Sequence, residues 1–319
     1  MKAPQSLQEA IIYFADPDRC IEFFKARRWP NGVECPTCGA KDVRFIATRR
    51  MWECKQKHPR KQFSIKVGSI FEDSALGLDK WLTAAWLICN AKNGVSSCEI
   101  ARSIRVTQKT AWFMLHRIRK AMQTGSFMKL GGGGSPVEVD ETYIGGKVKN
   151  MHKERRLKFQ REQRGWGGKA IVMGLLERNT KQVRAEVISD CGKINLHGQV
   201  RKHVEVGGHV ISDNWAGYDG LHTEYARDVI NHTEAYVQGQ IHTNGIENFW
   251  SLLKRGLSGT YVNVEPFHLS RYVDEQVYRY NNRKNMNDAQ RIDGVLSGVA
   301  GKRLTYVELI GKSEETRAF

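Results

Sequence analysis

The stretch HTNGIENFWSLLKR, residues 242–255, places apolar side chains at helical spacing with a carboxylate beside them. Glu247, Ser251 and Lys254 stand at i, i+4 and i+7 and therefore lie along one face of the predicted helix. We expect the helix to begin at the second or third residue of the stretch. Taken alone, the pattern favours a solvated surface helix, and two upstream aspartates change that interpretation. The predicted buried stripe consists of Ile246, Phe249, Trp250, Leu253 and Leu257.

Each of the two aspartates follows a strand-like segment. Residues 137–140 alternate in polarity and end in Asp140, and a short apolar strand over residues 207–213 ends in Asp213. Two further strands and a helical segment between them predict a mixed α/β sheet, in which the first and fourth strands can be neighbours. Asp140, Asp213 and Glu247 would then meet at one sheet edge. The alternative is a turn residue for Asp140 and a helix N-cap for Asp213.

Three converging carboxylates repel one another unless cations are bound. Hard divalent ions prefer oxygen ligands, and Mg²⁺ completes its coordination shell with water and substrate phosphate. Two such ions about 3.5–4 Å apart can activate the attacking oxygen and stabilise the leaving oxygen in phosphoryl transfer. The triad therefore predicts a site for two Mg²⁺ or Mn²⁺ ions.

A second metal site is predicted in the N-terminal part of the chain. Cys35 and Cys38 form a Cys-x2-Cys knuckle followed by glycine, which directs two sulfurs toward one point. Cys54 supplies a third sulfur and His58 a fourth ligand, where a second knuckle would place a cysteine at Lys57. We expect one structural Zn²⁺ held by three cysteines and one histidine, with three ordinary buried thiols as the alternative.

Residues 78–122 have the pattern of several short helices. Ser96–Glu99 is a capping box, and Thr107 begins another helix after a turn at Arg105–Val106. Residues 101–122 carry six Lys or Arg and no acid, which favours a helix-turn-helix over a basic face of a helical bundle. The side chains predicted to face DNA are Gln108, Lys109, Trp112, His116 and Arg119.

Composition agrees with a nucleic-acid partner. The chain has 319 residues with 50 Lys and Arg against 34 Asp and Glu, a formal net charge of +16. Such an excess favours a polyanion, because neutralised phosphates release counterions. Seven scattered cysteines, no secretory signal and no apolar run that could span a bilayer indicate a cytoplasmic protein without a membrane partner.

The clearest boundary is the run Leu130–Pro136, which reads as a flexible Gly-rich linker. We expect an N-terminal helical segment (1–30), a zinc ribbon (31–68), a helix-turn-helix domain (69–125), the linker (126–136), a catalytic domain (137–285) and a polar C-terminal tail (286–319).

Over residues 18–284 the chain resembles the DDE-type insertion-sequence transposases that carry an N-terminal zinc ribbon and an ISXO-type catalytic domain. The matching motifs are VEVDETYIGG at 137–146, SDNWAGY at 212–218, HTNGIENFWSLLKR at 242–255, GTY at 259–261 and HLSRY at 268–272. The resemblance implies an α/β multi-domain protein whose catalytic domain has a ribonuclease-H-like, retroviral-integrase-type fold. It assigns the catalytic acids to Asp140, Asp213 and Glu247, and a following lysine to Lys254.

The activity implied is Mg²⁺-dependent transposition on double-stranded DNA. The ribbon and helix-turn-helix would bind the inverted-repeat ends of the element, water would free a 3′-OH, and that hydroxyl would attack target DNA. Lys254, His242 and Asn244 are candidate phosphate contacts, and joining two ends predicts at least a dimer on the bacterial nucleoid. The alternatives are a non-catalytic DNA-binding regulator and a metal-dependent nuclease that cuts without joining.

Overall fold

The computed structural model describes residues 3–123, 128–146, 153–154, 157, 169–230 and 242–312. The chain divides into two compact units. The first unit comprises residues 1–124 together with 282–319, and the second comprises residues 125–281.

The second unit is built on a five-stranded sheet. Its strands are β4 (Val137–Ile144), β5 (Ala170–Glu177), β6 (Val183–Ile188), β7 (His209–Asp213) and β8 (Ala226–Ile230). The spatial order is β6-β5-β4-β7-β8, in which β4, β5 and β6 pair antiparallel while β7 and β8 continue in parallel from β4. The predicted mixed sheet, with its first strand next to its fourth, is thus confirmed.

Helices cover both faces of this sheet. One face packs on α6 (Lys193–His203), with Val139, Leu196 and Val200 fully buried in that core. The other face packs on α7 (Asn244–Gly256) and α8 (Leu269–Asn281). The predicted stripe of α7 is buried there as expected, and Glu247 and Lys254 remain exposed beside it.

The Gly-rich stretch is not a free linker over its described part, which corrects the expectation. Leu130 bridges to Val204, and the N–H of Gly131 donates to the carboxylate of Glu177 at 2.8 Å. Gly131 has a φ of +87°, a backbone conformation that favours glycine. The run of glycines therefore attaches to the sheet domain instead of separating it from what precedes.

The first unit contains five N-terminal helices and a small three-stranded sheet. The helices are α1 (Leu7–Phe14), α2 (Pro17–Arg28), α3 (Leu78–Asn90), α4 (Ser97–Ile104) and α5 (Gln108–Met122). The strands β1 (Val43–Ile46), β2 (Met51–Cys54) and β3 (Gln62–Phe63) form an antiparallel ribbon. The predicted capping box of α4 and the Thr107 cap of α5 are both present.

The C-terminal segment belongs to the first unit and is more than a polar tail. It contains α9 (Asp288–Ser297), whose Ile292 and Val295 are fully buried, and α10 (Tyr306–Leu309). Between them the chain lies along α5, where the guanidinium of Arg117 donates to the carbonyl oxygen of Leu304 at 2.9 Å.

The burial of α5 corrects part of its prediction. His116 and Arg119 are 0% and 1% exposed and therefore cannot face DNA as described, whereas Gln108 and Lys109 are exposed and Trp112 is half-buried. Lys109 lies over the ring of Tyr306 at 4.7 Å. Within the described residues, no helix is long and apolar enough to cross a membrane.

Candidate active site and metal centre

Asp140 and Asp213 occupy equivalent positions on neighbouring parallel strands. The pairing of Val137 with Val210 and of Glu138 with Ile211 places Asp140, two residues further along β4, level with Asp213 at the end of β7. Residues at the same register of adjacent parallel strands point to the same face of the sheet, about 4.8 Å apart where the strands pair. Asp140 itself lies in the interior of β4, not at its end as expected.

The third acid reaches this face from α7. Trp250, one turn beyond Glu247 in chain order, donates its indole N–H to Oδ2 of Asp140 at 2.9 Å. Glu247 is exposed, and its Oε1 accepts from the hydroxyl of Thr243 at 3.0 Å. The helix is therefore held against β4 with Glu247 on the flank of the buried stripe.

The electrostatics of Asp140 reflect these neighbours. Burial raises the pKa of Asp140 to about 6, and the negative charges of Asp213 and Glu247 act in the same direction while the indole hydrogen bond opposes them. On the opposite face of β4, burial raises the pKa of Glu141 to about 8, although Tyr218 donates a hydrogen bond to it. Asp213 and Glu247 thus add negative charge near Asp140, which a bound cation would neutralise.

The donor set fits Mg²⁺ or Mn²⁺, because it consists of carboxylate oxygens. In the described conformations, however, the three acids do not gather around one point. Among the residues that the structure describes, one group of three or more His, Cys, Asp or Glu side chains is close enough to share an ion, and it is the cysteine and histidine group of the ribbon.

Arg227 on β8 fixes the turn that carries Asp213. Its guanidinium donates to the hydroxyl of Ser212 at 3.0 Å, to the carbonyl oxygen of Asp213 at 3.2 Å and to that of Tyr218 at 3.0 Å. The backbone N–H of Trp215 donates to Oδ1 of Asp213 at 3.2 Å. The short helix that follows begins at Ala216 with Trp215 as its N-cap, so Asp213 is not the helix N-cap proposed as the alternative. Sequence reasoning missed Arg227, because a lone arginine in an edge strand carries no motif.

A buried ion pair anchors the start of α7. Glu138, 1% exposed, accepts from Nε of Arg178 at 2.8 Å and from the backbone N–H of Ile246 at 2.9 Å. The side chain of His242 lies 3.6 Å from the same carboxylate and 3.1 Å from Arg178. His242, a predicted DNA contact, is half-buried and takes part in this network.

Gly245 marks a close approach at the start of α7, but in the sequence it does not identify Glu138 as the approaching group. A Cβ at Gly245 would lie 2.7 Å from the Glu138 carboxylate, so only glycine admits the buried acid so close to the helix. Of the remaining candidate phosphate contacts, Asn244 and Lys254 are exposed on α7.

The ribbon brings its four predicted ligands together. The ligand atoms of Cys35, Cys38, Cys54 and His58 all lie within 4.8 Å of one another. Sγ of Cys35 is 3.5 Å from Nε2 of His58, and Sγ of Cys38 is 3.6 Å from Sγ of Cys54. A tetrahedral zinc with bonds of about 2.3 Å to sulfur and about 2.0 Å to nitrogen has ligand-to-ligand edges of roughly 3.5–3.8 Å. The group therefore fits structural zinc, and the spacing Cys54-x3-His58 is compatible with it.

Comparison with known proteins agrees with both halves of this description. Residues 129–281 match the ISXO2-like transposase domain, and residues 16–56 match the transposase zinc-ribbon domain. A protein of the transposable element ISH50 from Halobacterium salinarum is 27% identical over 77% of this chain and 84% of that protein. The three acids lie inside the first matched segment. The three cysteines lie inside the second, and His58 lies beyond it.

Proposed function

Since the chain belongs to the insertion-sequence transposases that join a zinc ribbon to an ISXO2-like transposase domain, we propose that it cuts and joins DNA strands at the ends of an insertion sequence. The observation that carries the proposal is the register of Asp140 beside Asp213, with the helix of Glu247 bonded to Asp140 through Trp250. A strand order of three antiparallel strands followed by two parallel ones supports a ribonuclease-H-like, integrase-type catalytic domain over residues 137–285.

Asp140, Asp213 and Glu247 would hold two Mg²⁺ or Mn²⁺ ions, each residue contributing carboxylate oxygens from a separate element. When bound, these ions would activate the attacking oxygen and stabilise the leaving oxygen of an in-line phosphoryl transfer. The protein's part is to hold the three acids in place: Trp250 restrains Asp140, Arg227 restrains the turn at Asp213, and Glu138 anchors the helix of Glu247.

Exposed residues of α7 would contact the substrate. Lys254 lies two turns beyond Glu247 on the same exposed face, where its ammonium can bind a phosphate next to the scissile bond. Asn244 is exposed in the first turn and can donate from its side-chain amide. His242 is left out of this role, because its ring nitrogen faces Glu138 and Arg178.

Recognition of the element ends is assigned to the first unit. Helices α4 and α5 are joined by a short turn in which Arg105 has a φ of +51°, an arrangement compatible with a helix-turn-helix. Gln108 and Lys109 at the exposed start of α5, with Trp112 behind them, are the side chains we expect to reach DNA. The net charge of +16 supports phosphate binding around these contacts. Because two ends are joined in concert, the active assembly is at least a dimer.

The test is cleavage and strand transfer of a labelled duplex that carries the terminal inverted repeat of the encoding element, in Mg²⁺ or Mn²⁺. We expect both activities in the wild type and neither in Asp140→Asn, Asp213→Asn or Glu247→Gln, with DNA binding retained. Cleavage without strand transfer would indicate a nuclease. Binding without cleavage in the wild type would indicate a regulator, and either result would contradict the proposal.

A further inference from the structure

The contact between Trp250 and Asp140 is buried and specific. Trp250 is 4% exposed, and its indole N–H points from α7 to Oδ2 of Asp140 at 2.9 Å. An indole nitrogen donates and cannot accept or ligate a cation, so it orients a carboxylate without competing for the ion. One oxygen of Asp140 is thereby held.

Gly174 supplies the space for this contact. It lies directly opposite Asp140 in the pairing of β4 with β5, where glycine weakens a strand. A Cβ at Gly174 would lie 2.6 Å from two carbon atoms of the Trp250 ring and 2.9 Å from the side chain of Ile246. Its backbone does not require glycine, because its φ is not in the left-handed region. Space for the indole is therefore the reason that the position lacks a side chain.

The helix is joined to β4 at a second point in the same register. Glu138, two residues before Asp140, accepts from the backbone N–H of Ile246, four residues before Trp250. Two strand residues span about 6.7 Å and four helical residues about 6.0 Å, so both contacts can form at once along one strand. The position of the indole relative to Asp140 is thus fixed by two contacts between α7 and β4, one at Glu138 and one at Asp140.

We propose that Trp250 is a positioning residue of the active site, which holds Oδ2 of Asp140 so that the other oxygen is presented to a divalent cation shared with Asp213. Gly174 is required to seat the indole ring of Trp250. This inference rests on the proposed function, because it assigns the cation to that site. Removal of a hydrogen-bond partner that orients a metal ligand typically costs about 10–100-fold in metal affinity or activity.

The test is Mn²⁺ binding to the full-length, zinc-loaded protein, measured from the electron paramagnetic resonance signal of free Mn²⁺. Asp140→Asn first defines the binding that depends on Asp140. We expect Trp250→Phe, which keeps a ring and removes the donor, to weaken that binding about 10–100-fold. Cleavage by Trp250→Phe should recover toward the wild-type rate at saturating Mn²⁺, which a general loss of structure would not permit.

Trp81→Phe is the matched control. Trp81 is 1% exposed and donates its indole N–H to Ser74 at 3.0 Å in the first unit, so the same kind of buried hydrogen bond is lost away from the acids. Mn²⁺ affinity should stay within about twofold of wild type in this variant, compared with the larger loss expected for removal of an orienting partner.

Unchanged Mn²⁺ affinity in Trp250→Phe, or equal binding by wild type and Asp140→Asn, would overturn the inference. If Trp250→Phe does not fold, Gly174→Ala is measured in its place, because the added methyl group displaces the ring of Trp250 and keeps the indole N–H. Weakened Mn²⁺ binding by Gly174→Ala supports the inference, and unchanged Mn²⁺ binding overturns it. The binding assay needs no DNA. A wild type that binds Mn²⁺ through Asp140 but fails to cut DNA would refute the proposed function and still decide this inference.

Discussion

Substitution of Glu138 by alanine should release the start of α7 from the sheet. Glu138 is 1% exposed, Arg178 has 12% of its side chain exposed, and the carboxylate accepts from both Arg178 and Ile246. Removal of one partner of a buried ion pair leaves the other charge uncompensated and costs about 3–5 kcal/mol. Glu138→Gln preserves the shape and one acceptor and should cost less, about 1.5–3 kcal/mol, the range for hydrogen bonds to charged groups.

Hydrogen exchange of the Ile246 amide measures this effect where it arises. At about 1.36 kcal/mol for each tenfold change, Glu138→Ala should accelerate exchange in the first turn of α7 by roughly two to nearly four orders of magnitude. The control is Glu224→Gln, which removes an exposed ion pair with Arg201 in the same unit and should leave α7 unchanged. Exchange at Ile246 within about twofold of wild type in Glu138→Ala would refute the reasoning.

Three further outcomes are expected. The hydrogen bond from His203 and the charge of Lys202 lower the pKa of Glu186 to about 2. The ionised Glu186 side chain therefore stabilises the fold above its ordinary pKa of 4.5, and this stabilisation is lost as the pH falls toward 2. Glu186→Gln should flatten the decline of the melting temperature over that pH range. Cys38→Ser should lose bound zinc by elemental analysis, whereas Cys98→Ser, an exposed cysteine outside the ligand group, should retain it. Arg227→Lys cannot make three guanidinium bonds and should lower cleavage about 10–100-fold in a rate assay while DNA binding, measured by gel shift, is kept.

The parts of the fold that local periodicity determines were predicted from the sequence. The α7 helix begins and buries its stripe as expected, because a 3.6-residue repeat leaves one face for the core. The strands β5, β6 and β7 also follow from short runs of mostly apolar residues bounded by turn residues. The ribbon ligands were found because two cysteines at a knuckle spacing restrict where the remaining ligands can lie.

Long-range packing determines what was missed. The basic face of α5 was predicted to face DNA, but a segment 187 positions further along the chain covers part of that helix. The carbonyl of Leu304 accepts from Arg117, and Tyr306 packs on Phe113. Helical periodicity shows which side chains share a face and cannot show what distant segment covers it. His116 and Arg119 were also assigned to solvent, and both are buried.

The residues that hold Asp140 and α7 in place were missed for a related reason. Glu138 and Asp140 alternate with valines, so the pattern of β4 predicts one polar face but not the partners of its acids. That face is covered by α7, and Arg178 and Trp250 donate hydrogen bonds to the two carboxylates. Gly174 and Gly245 mark the two close approaches, but glycine alone does not reveal which side chain fills its space.

The most direct measurement is strand cleavage and joining of an element-end duplex in Mg²⁺ by wild type and Asp213→Asn, with DNA binding measured in parallel. The account predicts that wild type cuts and joins, and that Asp213→Asn binds the duplex but does neither. Asp213 stands level with Asp140 on neighbouring strands, and its loss should remove the shared cation site. Cleavage by Asp213→Asn at the wild-type rate would contradict the assignment of the acidic triad.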